Sequence, residues 1–113
     1  MDKKQASYYL RRIYRLIESG KINIALKKLG AKVDGITYFA ENPPKNATEI
    51  HLKPDCSILL IFVHECVHVL YPDMSENNVI SLSQKIFAEL SLRQVKNLLV
   101  RLAQVIKTQH GYY

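Results

Sequence analysis

The residues most able to do chemistry in this 113-residue chain are His64, Glu65 and His68, in the run His64-Glu65-Cys66-Val67-His68. Two histidines four residues apart fall on one face of a helix, about 6 Å apart along its axis, so both imidazoles can reach one metal ion. The glutamate between them can then reach a water held by that ion. The pentad lies within an apolar run from Ile58 to Leu70. Three ionisable groups on such a helix are costly to bury without partners, and one zinc ion per chain would satisfy all three. The plainer alternative is a buried helix whose histidines bond neighbouring carbonyls, but leucine would serve such a core more simply.

Catalytic zinc usually takes three protein ligands and keeps one position for water. With His64 and His68 as two, the third must come from Asp73, Glu76, Glu89 or His110. The loop at 71–74 is short, so a helix over 74–90 should fold back beside the pentad helix as a hairpin. That puts Glu76 near His68 and carries Glu89 about 20 Å further along. The spacing favours Glu76. A competing reading makes Asp73 the N-cap of that helix and Glu76 its third residue, reaching back to the cap. His110, in a tail, could also reach the site. Zinc would acidify its water and polarise a substrate carbonyl. Glu65 would take the proton from that water and hand it to the leaving amine. Tyr38, Tyr71, Tyr112 and His51 are candidate donors to a developing oxyanion. A core or interface ring is the simpler reading of each tyrosine, and a surface position that of His51.

The elements that must position these groups follow from the apolar pattern. Residues 5–18 read as an amphipathic helix with Tyr9, Ile13, Leu16 and Ile17 on one side and Arg11, Arg12 and Arg15 on another. Residues 22–29 suggest a second short helix ending at Gly30. Ile36–Ala40 is β-branched and aromatic, and Thr48–Lys53 alternates, with Ile50 and Leu52 facing inward. Between them Pro43 and Pro44 keep a loop out of any ladder. The pentad helix should begin at Asp55 or Ser57 as N-cap and end near Tyr71-Pro72. A last helix over 92–107 follows a capping box at Ser91-Leu92-Arg93-Gln94. Thr108–Tyr113 reads as a short tail. The expectation is one α+β domain over residues 1–113: mainly helical, with a two- to three-stranded sheet, the pentad helix and two helices after it.

The net charge of +6 sits mostly in residues 1–56, where eleven Lys and Arg face six Asp and Glu. That basic half could touch nucleic acid or acidic lipid, but its cations interleave with apolar helical positions, as on a solvated surface. Cys56 and Cys66 fall on one strand-to-helix unit and read as buried thiols in a reducing compartment. Cys66 lies about 200° round the helix from His64, away from the metal. The N-terminal stretch has no apolar signal core, and the 13-residue run at 58–70 is too short to span a bilayer. These features point to a cytoplasmic protein with no membrane partner.

With strand 48–53 leading into His-Glu-x-x-His and a helix straight after, residues 36–90 resemble the zincin metallopeptidases. They look most like the smallest soluble members, the minigluzincins. The resemblance implies zinc on His64 and His68, Glu65 as general base, and a peptide or protein substrate. It implies an edge strand, Ile36–Ala40 or Thr48–Lys53, that pairs with extended substrate. It also implies a zymogen whose C-terminal segment, residues 103–113, blocks the cleft. Gluzincins bring a glutamate from the next helix as third ligand. Helix 74–90 holds no histidine, which leaves Glu76 in that part or His110 completing the site from the tail.

Three functions therefore compete. The foremost is a zinc-dependent peptidase. The second is a zincin-like binding or regulatory module without catalysis. The third is a basic helical nucleic-acid-binding protein using Lys3, Lys4, Arg11, Arg12, Arg15, Lys27 and Lys28, for which no nucleic-acid motif speaks. The stripe on helix 92–107 could pack at home or against a second copy as a homodimer.

Overall fold

A computed structural model of the chain describes residues 1–26, 35–38, 48–52 and 58–110. The elements in order are helix α1 (Lys3–Glu18), strands β1 (Ile22–Leu26), β2 (Gly35–Tyr38) and β3 (Thr48–Leu52), and helices α2 (Ile58–Leu70), α3 (Glu76–Glu89) and α4 (Leu92–His110). The fold is small and mainly helical. Helix α1 starts two residues earlier than its apolar periodicity indicates, because Asp2 and Gln5 form a reciprocal capping box. Among the described residues no helix is long and apolar enough to cross a membrane.

The segment at 22–29 departs from its expected helix. The structure has strand β1 over Ile22–Leu26, and residues 27–29 lie outside the described portion. Ile22 and Ile24 are fully buried and Asn23 between them is exposed, which is the two-residue period of a strand. Four apolar residues in eight fit helical spacing just as well, and pairing decides the matter. β1 runs parallel to β3, with Ile24 opposite Ile50. β2 runs antiparallel to β3 on its other side, with Thr37 opposite Ile50. β3 is therefore the middle of a three-stranded sheet in the order β1-β3-β2. Both of its edges are taken, so β3, the described part of the Thr48–Lys53 stretch, is not an open edge for a substrate strand. β2 remains at the sheet's edge.

The core gathers Leu10, Ile13 and Ile17 of α1, Ile22, Ile24 and Ile50 of the sheet, and Phe62, Val63, Cys66 and Val67 of α2. Val79 and Ile86 of α3, with Leu98, Leu102 and Ile106 of α4, close it from the other sides. Helix α2 packs against α3 and against strands β2 and β3, while α4 lies against β1. The last helix runs to His110, so the tail expected from Thr108 begins later, and Ile106, within the expected blocking segment, belongs to the core.

Candidate metal centre

Helix α2 is buried on one side and half-exposed on the other. Phe62, Val63, Cys66 and Val67 face the core, and His64 and His68 lie on the half-exposed side. The core cluster sits where an apolar arc requires it, and the histidines lie across the helix from fully buried Cys66. Burial pushes the Cys66 thiol well above its ordinary range, with the neighbouring Glu65 charge adding to the effect. Cys66 is thus an inert packing residue, and Cys56 lies outside the described residues.

One turn apart, the two imidazoles meet edge to face, and their Nε2 atoms are 3.2 Å apart. Glu65 is buried at 4 % exposure, and its Oε2 is 3.7 Å from His64 Nε2. The ligand atoms of His64, Glu65 and His68 all lie within 4.8 Å of one another, a grouping that could hold a metal ion.

Glu76 completes the arrangement from the next helix. Its Oε1 is 3.0 Å from His64 Nε2 and its Oε2 is 2.9 Å from His68 Nε2, so one carboxylate sits astride both rings. The chain turns tightly to bring it there. Tyr71 N–H closes the last turn of α2 on the Val67 carbonyl, and Met74 N–H donates to the Tyr71 carbonyl. Ser75, in an extended conformation, then caps α3, its hydroxyl accepting from Asn78 N–H. The N-cap is therefore Ser75 and not Asp73, and Glu76 is the first residue of α3 and not the third. At the first helical position rather than the third, Glu76 closes no capping box, and its carboxylate meets the histidines instead.

The donor set has a consequence for charge. A neutral imidazole carries one N–H, and a carboxylate carries none. Two Nε2 atoms and two carboxylate oxygens converging at about 3 Å can be held by an N–H on each ring donating to its own Glu76 oxygen, or by a metal cation accepting lone pairs from all of them. The Glu76 side chain is 59 % exposed, where an ion pair to histidine alone is worth little. The residues present fit a metal ion.

The remaining candidates are not gathered at this point. Glu89 is the last residue of α3, at the far end of the helix from Glu76. The His110 backbone ends α4, and its side chain lies outside the described portion, as do the side chains of Tyr38 and His51 and all of Tyr112. Tyr71 is engaged with α1. Its hydroxyl accepts from Arg12 Nη1 at 3.3 Å, and the guanidinium stands 5.3 Å from its ring centre. Arg12 Nη1 also donates to the Tyr8 hydroxyl at 3.1 Å. This hydrogen bond and the charge interaction with Tyr71 raise the Arg12 pKa further, so the guanidinium is charged at every working pH. The Tyr8–Arg12–Tyr71 cluster was not singled out by the pentad, yet a tyrosine and an arginine four apart on α1 is a readable pairing.

No protein-family model matches the chain, and no curated protein or solved structure matches it either.

Proposed function

We propose that the chain is a small zinc-dependent peptidase of zincin-like design, with His64, His68 and Glu76 as protein ligands and Glu65 as general base. The observation that carries this reading is the Glu76 carboxylate lying 3.0 and 2.9 Å from the two Nε2 atoms. Zinc–nitrogen bonds of about 2.0–2.1 Å at a tetrahedral angle hold two ligand nitrogens roughly 3.3 Å apart, and the histidine nitrogens are 3.2 Å apart. Two histidines and a carboxylate are also a ligand set used by catalytic zinc.

Bound zinc would supply an acidified water and a polarised substrate carbonyl. The protein's own part falls to Glu65. It follows His64 directly, and its carboxylate is next to that ring but further from it than Glu76 is. There it can take a proton from the attacking water and return it to the leaving amine of the cleaved peptide. Its burial keeps competing solvent from the carboxylate. Strand β2, at the sheet's edge and packed against α2, is the element able to hold an extended substrate by backbone hydrogen bonds.

Metal analysis and peptide cleavage on purified protein test this together. The expected result is one zinc per chain, with Glu65→Ala retaining the metal and losing peptide hydrolysis by about 100-fold or more. Zinc bound with no peptide cut, even after removal of the residues beyond α4, would favour a binding module. Absence of zinc would end the reading.

A further inference from the structure

Helix α1 has two opposite faces. At 100° per residue, buried Ala6, Leu10, Ile13 and Ile17 share an arc that looks into the core. Tyr8, Lys4, Arg11, Arg12 and Arg15 share an arc of about 100° on the opposite side. Lys4, Arg11 and Arg15 are exposed, and Tyr8 is 47 % exposed. A merely solvated helix face would mix acids with bases at three- and four-residue spacing. The one acid within α1, Glu18, is instead paired with Arg101 of α4 at 2.6 Å. Among the described residues, the Arg11, Arg15 and Lys21 side chains have no carboxylate partner.

The same face is concave. A cleft of about 390 Å³ runs beside α1 from Tyr8 to Ser19, with Arg12, Arg15 and Lys21 around it and Leu16 and Leu70 as apolar lining. The lining residues from Tyr8 to Ser19 span eleven helical rises, about 16 Å along the axis. Arg12 is held in place by its bonds to Tyr8 and Tyr71, with its guanidinium 5.9 Å from the Tyr8 ring centre. Only Nη1 is committed, so further donors of this planar group stay free for an anion.

We propose that this face of α1 binds single-stranded nucleic acid, its phosphates along Lys4, Arg11, Arg15 and Lys21 and a base stacked on Tyr8. Repeated charge along a helix matches a repeated phosphate, where a lone carboxylate would engage one cation. Half-exposed Tyr8, its ring bordered by Arg12 and by the Tyr9 ring at 5.3 Å, and the apolar lining offer contact to an unstacked base, which a duplex does not present. The surface is separate from the histidines and does not depend on the peptidase reading, so Glu65→Ala should bind the strand as the parent does.

The test is fluorescence anisotropy of the full chain with labelled oligothymidylate over a series of salt concentrations. Four phosphate contacts predict a slope of about −3 in log affinity against log salt. Arg11→Gln with Arg15→Gln, at exposed positions that leave the core intact, should weaken binding tenfold or more and reduce the slope by about 1 to 2. Tyr8→Ala should weaken binding by about tenfold with the slope unchanged. Circular dichroism matching the parent keeps each loss specific. Absence of binding at low salt would overturn the proposal, as would affinity indifferent to the paired substitution. Displacement of the strand by phosphatidylserine vesicles at lower concentration than unlabelled oligonucleotide would assign the face to a membrane instead.

Discussion

Glu76 is the residue on which the metal reading turns, and its neighbours supply the controls. Asp73, Ser75 and Glu76 are all exposed within one turn of chain, yet they do different things. Ser75 caps α3, Glu76 spans the two imidazoles, and Asp73 has neither role. Glu76→Ala should lower zinc affinity at least about 100-fold, the upper end of what changes behind the direct ligands cost. Asp73→Ala should leave zinc affinity where it was. Ser75→Ala should cost about 1 kcal/mol of stability while zinc stays bound. Competition with a chromophoric chelator and urea unfolding measure both quantities, and zinc lost equally in Asp73→Ala and Glu76→Ala would remove Glu76 from the site. The histidines and Glu65 were legible because their relation is local, fixed by helical spacing alone. The cap was not, since either Asp73 or Ser75 can cap, and the choice depends on which backbone takes the extended dihedrals, here φ −63° and ψ 153° at Ser75.

Elements joined by short-range signals can be read from the chain, and those joined by distant partners cannot. The capping box at Ser91 is of the first kind. Ser91 Oγ accepts from Gln94 N–H at 3.2 Å, and Gln94 Oε1 accepts from Ser91 N–H at 2.9 Å. Gln94 Nε2 in addition donates to Ser7 Oγ at 3.2 Å, tying the start of α4 to α1. Ser91→Ala should therefore cost about 1 kcal/mol, and Gln94→Ala somewhat more, because it loses both the cap and the tie. Urea titrations at constant m-value check the order, and equal costs would mean that the Ser7 contact contributes nothing. Strand β1 is of the second kind. Ile22, Ala25, Leu26 and Leu29 satisfy a helix pattern while Ile22 and Ile24 satisfy a strand, and only β3, more than twenty residues away, makes the extended form worth its entropy. The order β1-β3-β2 is likewise decided by pairing across distance, which is why the resemblance leaves either Ile36–Ala40 or Thr48–Lys53 for the edge role, while β3 is the centre strand of the fold.

At the scale of the whole molecule, the core among the described residues holds the Cys66 thiol and half-buries the Tyr14 and Tyr71 phenols, whose titration is shifted, and this sets how stability varies with pH. Desolvation is the leading cause in each: it raises Cys66 well above 9.0 and moves Tyr14 and Tyr71 above 10.0. Arg101, 4.2 Å above the Tyr14 ring, and Arg12 beside Tyr71 oppose the shift without cancelling it. Groups whose folded pKa is raised keep their protons longer in the native state than in the unfolded chain. Their contribution is complete below the unfolded pKa and is lost as pH rises through the folded one. Stability should thus hold steady through neutral pH and then fall above about pH 9, led by Cys66, at no more than about 1.4 kcal/mol per pH unit for each group. Replacing Cys66 by Ala should flatten the beginning of that decline, whatever it does to stability at neutral pH. Native Cys66 should also resist alkylation until the protein unfolds, since its thiol is both buried and protonated. Denaturant unfolding at several alkaline pH values tests the slope directly. A parent and a Cys66→Ala variant that decline in parallel from pH 9 would show that the thiol is not what the folded core holds protonated.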